Sequence, residues 1–325
     1  MTTMTSKLEL MEWARRPGHD GKSHLLMRVS FEARSIAIAN AFGGERWRST
    51  TIFASKRHGD RAEANLETLK LHLGRELVPL ELDTSAPFKV ASELTGAIGD
   101  FVERVGADAA VVDVTSFRRE ELLMLLAILK SKLSDRNLLD RWNLAYVGAL
   151  NMGDWLSGKV TSVRSVLGFS GNIRPSRSTR LVVLLGFEVN RARSIIEAYE
   201  PKQIVLGMGY KAESINDALY ARNKELFDRL IQEFQDSVER DFEFSARDPL
   251  KVQSELDEVI GAADESNVVI APLHTKLSTV GAGLYALNHP NVQVCYAPVE
   301  EYNEEAYSAP GPDVFLVPLD SIFPA

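Results

Sequence analysis

The chain has 325 residues, 45% of them hydrophobic and 25% charged, which is the balance of a globular protein with material for two cores. A formal net charge of −8 argues against a general grip on phosphate backbones, so direct nucleic-acid binding is not expected. The single cysteine, Cys295, rules out an internal disulfide and reads as a small hydrophobe in a buried strand; without Cys/His spacing for zinc, neither a metal nor a cofactor is expected.

Residues 1–23 form an extension ahead of the first strand. They hold no apolar run long enough for a signal peptide, and no stretch of the chain reaches the roughly 20 apolar residues that cross a membrane. A soluble, cytoplasmic protein is expected. Leu8, Leu10, Met11 and Trp13 are spaced as a short helix that packs on the domain.

The first half then alternates strand and helix. Strands are expected at 25–30, 51–54, 78–82, 109–114 and 144–147, with a sixth at 162–167. Helices are expected at 35–42, 62–73, 88–105 and 120–133. A Gly-, Ser- and Arg-rich run follows and sets a linker at 171–179. The second half repeats the order. Its strands are expected at 181–185, 204–206, 241–245, 267–271 and 292–296, closed by 314–318, and its helices at 191–199, 224–234, 251–263 and 278–287. The strands are continuous apolar runs, as parallel strands covered on both faces are. Alternating βα units with right-handed crossovers give an α/β fold of two tandem Rossmann-like units, 24–170 and 180–325, related by a pseudo-two-fold.

Internal repetition supports that division. Residues 88–99 match residues 250–261 at seven of twelve positions, sharing Lys-Val-x-Ser-Glu-Leu and a later Ile-Gly. Phe31-Glu32 corresponds to Phe187-Glu188, and Val111-Val112 to Val268-Val269, at nearly the same offset.

In open parallel sheets ligands bind beyond the carboxyl ends of the strands, where the strand order reverses. This selects two loops per half. After the first strands come Ser30, Glu32 and Arg34, and Gly186, Glu188, Asn190 and Arg191. Each set puts an arginine at the start of a helix, where free N–H groups and the dipole favour an anion. The same Glu and Arg would otherwise cap the helix or pair with each other. Neither loop is a GxGxxG fingerprint. After the fourth strands come Asp113, Thr115, Ser116 and Arg118, and His274, Thr275, Lys276 and Ser278. Both sets combine hydroxyls with a cation and suit phosphate or ribose oxygens; helix capping explains the hydroxyls equally well. Gly207 and Gly209 let backbone approach a ligand, or simply make a tight turn. Histidine as a residue type titrates near neutrality, so His274 is a candidate acid or base.

On Leu185-Gly186-Phe187-Glu188 with Arg191, on Ile204-Val205-Leu206, and on His274-Thr275-Lys276, the second half resembles the CRISPR-associated Rossmann-fold domains. The duplicated form is similar to the SAVED sensors. His274 stands where that family tends to show glycine. The resemblance implies a nucleotide-sensing regulatory protein of a prokaryotic antiviral defence system. It would bind a cyclic oligoadenylate or similar nucleotide between its two repeats and signal to a separate effector protein; a homo-oligomer is compatible with this. A second reading is a Rossmann-like nucleotide hydrolase, phosphodiesterase or glycosyl transferase with Glu32, Glu188, Asp113 or His274 as acid–base groups. A third is a scaffold subunit without a ligand.

Overall fold

The computed structural model describes residues 3–5, 23–42, 44–56, 59–74, 76–133, 139–261 and 266–323. It is an α/β fold of two compact units, Met1–Asn151 with Ser308–Ala325, and Met152–Tyr307.

The first unit is a seven-stranded sheet. Its strands are β1 (Thr3–Thr5), β2 (Ser23–Arg28), β3 (Trp47–Ser55), β4 (Leu80–Leu82), β5 (Ala110–Asp113), β6 (Trp142–Ala149) and β13 (Pro310–Pro318), in the order β1-β13-β6-β5-β2-β3-β4. Strands β2 to β6 are parallel; β13 is antiparallel to β6, and β1 to β13. The second unit has β7 (Arg164–Ser165), β8 (Thr179–Leu185), β9 (Gln203–Gly209), β10 (Val238–Phe244), β11 (Asn267–Leu273) and β12 (Gln293–Tyr296), in the order β10-β9-β8-β11-β12-β7. Only β7 is antiparallel.

Count the five parallel strands of each unit along the chain and both sheets read 3-2-1-4-5, with an antiparallel strand beside the fifth. The repeated sequence also lands in one structural position. Residues 88–99 lie in α3 (Pro87–Val105) and residues 250–260 in α7 (Pro249–Ile260), and each helix connects the third strand to the fourth. Both open on a proline at the first turn, where a missing N–H costs nothing. Both bury the same stripe: Val90, Leu94 and Ile98 in one, Val252, Leu256 and Ile260 in the other. The copies diverge at their ends. Gly261 stops α7 at a positive φ of 58°, whereas Gly99 lies inside α3, which runs on to Gly106.

The remaining helices are α1 (Ala37–Phe42, after a 3-10 turn at Ala33–Ile36), α2 (Asp60–Leu73), α4 (Arg119–Leu133), α5 (Val189–Tyr199), α6 (Asp217–Glu233), α8 (Lys276–Asn288) and α9 (Leu319–Ile322). Each sheet carries an apolar face. Leu25, Met27, Ile52 and Val111 pack against Leu66 and Leu69 in the first unit, and Leu181, Val183, Leu206 and Val269 against Ile195 and Phe227 in the second. Among the described residues no helix is long and apolar enough to cross a membrane.

The structure corrects three expectations about where segments belong. The closing strand expected in the second half is β13, which pairs with β6 in the first sheet, so the chain returns to the first unit at Ser308 and the second does not run to residue 325. The sixth strand expected in the first half is β7, which pairs with β12 in the second sheet. The expected linker at 171–179 is packed on the second unit. There the Asn267 side chain accepts from Arg174 N–H at 2.8 Å and donates to Arg174 and Arg177 carbonyls at 2.8 and 3.0 Å. A short apolar run shows that a strand forms but not which sheet it joins. Cys295 is buried in β12, and that burial pushes its thiol up to about 12. The helix expected around Leu8–Trp13 lies outside the described residues.

Candidate ligand sites at the two strand-end switch points

The order 3-2-1-4-5 puts a reversal between the first and fourth strands of each unit, at β2/β5 and at β8/β11. The loops chosen from sequence stand at these two places.

In the second unit, β8 ends at Leu185 and the chain bends through Gly186 into α5. Gly186 is required by crowding: a Cβ there would lie 2.8 Å from the Leu273 carbonyl oxygen and 3.2 Å from His274 Cα. Glu188 and Arg191 form a buried ion pair, Nη1 to Oε1 at 2.8 Å, and Glu188 Oε1 also accepts from Ser157 Oγ at 2.8 Å. Arg191 Nε donates to the Ala297 carbonyl at 2.6 Å, and its guanidinium lies 5.1 Å from the centre of the Tyr296 ring. Its Nη2 is buried without a hydrogen-bond partner among the described residues.

The first unit repeats this arrangement with a different spacing. Arg34 donates twice to Glu32 Oε2, from Nε at 3.1 Å and Nη2 at 2.5 Å. That oxygen also accepts from Ser308 Oγ at 2.9 Å. Arg34 Nη1 donates to the Val147 carbonyl at 3.1 Å, and the guanidinium lies 5.9 Å from the Tyr146 ring centre. Ser30 Oγ accepts the Glu32 N–H at 3.2 Å, and Asn65 clamps the bend through the carbonyls of Ser30 and Glu32. In both units a Glu–Arg pair is therefore locked to a tyrosine of the fifth strand and to the carbonyl that follows it.

The fourth-strand loops differ. Asp113 ends β5 and is 2% exposed. Its Oδ1 accepts from Thr115 N–H at 2.9 Å, and its Oδ2 has no hydrogen-bond partner among the described residues. Burial pushes the carboxyl up to about 7; the hydrogen bonds from Thr115 and the charge of Arg34 offset only part of that. Thr115 Oγ1 accepts from Val147 N–H at 2.9 Å, and Ser116 Oγ donates to the Arg28 carbonyl. The Arg118 N–H donates to Glu121 Oε2 at 2.9 Å.

In the second unit the hydroxyls cap α8. Thr275 Oγ1 accepts from Ser278 N–H at 3.1 Å and donates to the Ala246 carbonyl at 2.7 Å, while Ser278 Oγ donates to the Thr275 carbonyl at 2.9 Å. Lys276 opens the helix, half-buried. His274 stands edge-on to Phe244, ring centres 5.2 Å apart. Asn190 lies exposed and accepts from Arg193 at 2.7 Å. Gly207 and Gly209 lie within β9 rather than in a turn after it. Their missing side chains make room for Phe242, 2.7 Å from a Cβ at Gly207, and for His274 Nε2, 2.9 Å from one at Gly209.

Sequence reasoning missed Tyr146, Tyr296, Ser157, Ser308 and the buried ion pair of Arg28 with Glu121 at 2.8 Å. One signal was available. Tyr146-Val147 and Tyr296-Ala297 occupy the same place in their repeats, each a tyrosine followed by an aliphatic residue, although β12 ends at Tyr296 and β6 runs on to Ala149. A shallow cleft on α6, lined by Lys211, Tyr220, Lys224 and Asp228, contains none of the residues chosen from sequence.

No family model matches the chain, and a comparison with curated proteins finds no match either. Among solved structures it is similar to UDP-GlcNAc 2-epimerase from Neisseria meningitidis bound to UDP-GlcNAc, at 8% identity and a TM-score of 0.26 over 77% of each chain. It is also similar to the Cap4 SAVED/CARF-domain containing receptor of Acinetobacter baumannii, at 12% identity and a TM-score of 0.30 over 79% of this chain and 55% of the receptor. The third is an A1-type ketoreductase, at 14% identity and a TM-score of 0.18 over 82% of this chain and 75% of the other. These values are too low to carry a function across, so the chemistry has to be read from the residues themselves.

Proposed function

We propose that this chain is a nucleotide-binding regulatory protein that takes its ligand at a strand-end switch point. The observation that supports this is a pair of unspent groups. Among the described residues, the buried polar atoms without a hydrogen-bond partner include Arg191 Nη2 at the switch point of one unit and Asp113 Oδ2 at that of the other. Buried polar groups are nearly always satisfied, and an exception in a crevice that suits ligands points to binding. The two atoms are complementary in kind. A guanidinium N–H suits a phosphate or carbonyl oxygen, and a carboxyl suits a hydroxyl.

Binding is favoured over catalysis by the state of the glutamates. Glu32 and Glu188 are each held by an arginine and a serine, so neither is disposed to move protons. The ligand proposed is a cyclic oligonucleotide or a related nucleotide, and the output is transmission to a separate effector protein. One feature favours the hydrolase reading: Asp113 is held near 7, the range that suits proton transfer at neutral pH.

A thermal-shift screen against cyclic and linear nucleotides tests the proposal, because a ligand bound only by the folded state raises the melting temperature. A shift of several degrees with one nucleotide class supports it. No shift with any nucleotide at millimolar concentration overturns it. Chromatography of the same mixtures after incubation separates a sensor, which returns the nucleotide intact, from a hydrolase.

A further inference from the structure

Asp113 can be placed against the other repeat by sheet register. Phe31-Glu32 and Phe187-Glu188 are equivalent, so Leu25 corresponds to Leu181, six residues upstream in each unit. Leu25 pairs with Val111 across β2/β5, and Leu181 pairs with Val269 across β8/β11, so the sheet register sets Val111 against Val269 and corrects the sequence match of Val111 with Val268 by one residue. Two residues on, Asp113 corresponds to Ala271, which is fully buried in β11. The same scaffold thus accepts a methyl where the first unit keeps a carboxyl. A carboxyl at this depth costs stability unless both oxygens are used; Oδ1 accepts the Thr115 N–H, whereas Oδ2 has no hydrogen-bond partner among the described residues. The second unit keeps the same strand order with Ala271 in its place.

We propose that Asp113 is a specificity-determining residue of the first unit, whose Oδ2 takes a ribose hydroxyl of a bound ribonucleotide. This rests on the nucleotide-binding reading above. A hydroxyl is the partner that fits. It donates to a carboxylate and accepts from a carboxylic acid, so it satisfies Oδ2 in either protonation state. A phosphate does not, since two anions would meet in a buried place. Arg34, whose charge acts on Asp113, is already committed to Glu32 and the Val147 carbonyl, so it leaves Oδ2 open. The second unit has Ala271 here and an unspent arginine nitrogen instead, so its own switch point would favour a phosphate oxygen over a sugar hydroxyl.

The experiment is calorimetric titration of the full chain with ATP and GTP beside their 2′-deoxy and 3′-deoxy forms, and with cyclic di-AMP beside its 2′-deoxy form, on wild type, Asp113→Ala and Asp113→Asn. In wild type one deoxy form is expected to bind about tenfold more weakly, the effect of one lost buried hydrogen bond. In Asp113→Ala, which copies the other unit, ribo and deoxy forms are expected to bind alike. Asp113→Asn keeps the acceptor for Thr115 and guards against a folding defect; at pH 8 it is expected to lower the discrimination severalfold, because a neutral amide replaces an ionised partner. Wild type that binds nucleotides without telling ribose from deoxyribose overturns this inference alone, as does unchanged discrimination in Asp113→Ala. A wild type that binds none of the three overturns the nucleotide reading as well.

Discussion

The guanidinium of Arg191 lies 5.1 Å from the centre of the Tyr296 ring, and in the other unit Arg34 stands in the same relation to Tyr146 at 5.9 Å. Each arginine also pairs with a glutamate and donates to the carbonyl one residue beyond its tyrosine. The arginine reaches the same place from different sequence positions, two residues after Glu32 but three after Glu188. The helix starts differ accordingly. Arg34 lies in a 3-10 turn and Arg191 in the first turn of an α-helix. Duplication has preserved the spatial lock while its spacing drifted.

A lock of this kind makes a stability prediction. Replacing Arg191 with methionine keeps much of the volume but takes the buried cation away from Glu188. Losing one partner of a buried pair costs about 3–5 kcal/mol. Arg191→Met is expected to lower the urea midpoint by that margin, and the double variant Arg191→Met with Glu188→Gln to recover part of it. A single variant as stable as wild type would show that the pair does not anchor α5 to the sheet.

Asp113 predicts a pH dependence. Its ordinary value is 3.8 and burial raises it to about 7 in the folded state. Between those values the folded protein holds a proton that the unfolded chain has released, so the stability from this group is present below pH 4 and is lost as pH rises to 7. Roughly three pKa units correspond to about 4 kcal/mol in all, an upper figure for a buried carboxyl. Asp113→Asn removes this dependence. The stability difference between variant and wild type is expected to grow in favour of the variant from pH 4 to 7, then level off. Denaturation curves at four pH values read it directly, and parallel profiles for the two proteins would count against a raised Asp113.

Much of the fold was legible because the strands are buried on both faces and the helices bury clear stripes. Val90, Leu94 and Ile98 already outline α3 in the sequence, and Val252, Leu256 and Ile260 outline α7. Segment membership was not legible. Val314–Pro318 reads as a strand, but its pairing with β6 rather than with the second sheet is decided by a chain return that no local pattern encodes. The loops picked out by topology do lie at the strand-order reversals, but the hydrogen bonds of their residues were not legible. Thr275 and Ser278 looked like ligand hydroxyls and are spent on the helix cap. The glycines of β9 looked like room for a ligand and are filled by Phe242 and His274. Residue type and position are visible in a sequence, whereas hydrogen-bond satisfaction is set by partners far along the chain, such as Ser308 for Glu32.

The capping role of Thr275 gives a third prediction. Its hydroxyl accepts from Ser278 N–H and donates to the Ala246 carbonyl, so it joins the α8 terminus to the loop after β10. Thr275→Val keeps the shape and removes both bonds. Loss of an N-cap costs about 1 kcal/mol, and the orphaned carbonyl adds to it, for about 1–2 kcal/mol in total. Thermal melts are expected to show a drop of a few degrees. Serine at the same position should restore most of the loss. Failure of serine to rescue would move the effect from the hydroxyl to the γ-methyl.

Gly186 separates a packing role from a ligand role. Its Cβ would meet backbone, the Leu273 carbonyl at 2.8 Å and His274 Cα at 3.2 Å, and backbone cannot step aside as a side-chain tip can. Alanine there has to push β8 and β11 apart at the switch point. Overpacking of this size costs about 1–3 kcal/mol. Gly209→Ala is the control, since its Cβ would meet only the imidazole of His274, at 2.9 Å, and a ring can turn away. Gly186→Ala is therefore expected to destabilise the fold more than Gly209→Ala does. Gly209→Ala should instead move the His274 ring, which an NMR titration of that imidazole detects. Equal stability losses in the two variants would mean that the β8/β11 crevice is more compliant than its contacts indicate.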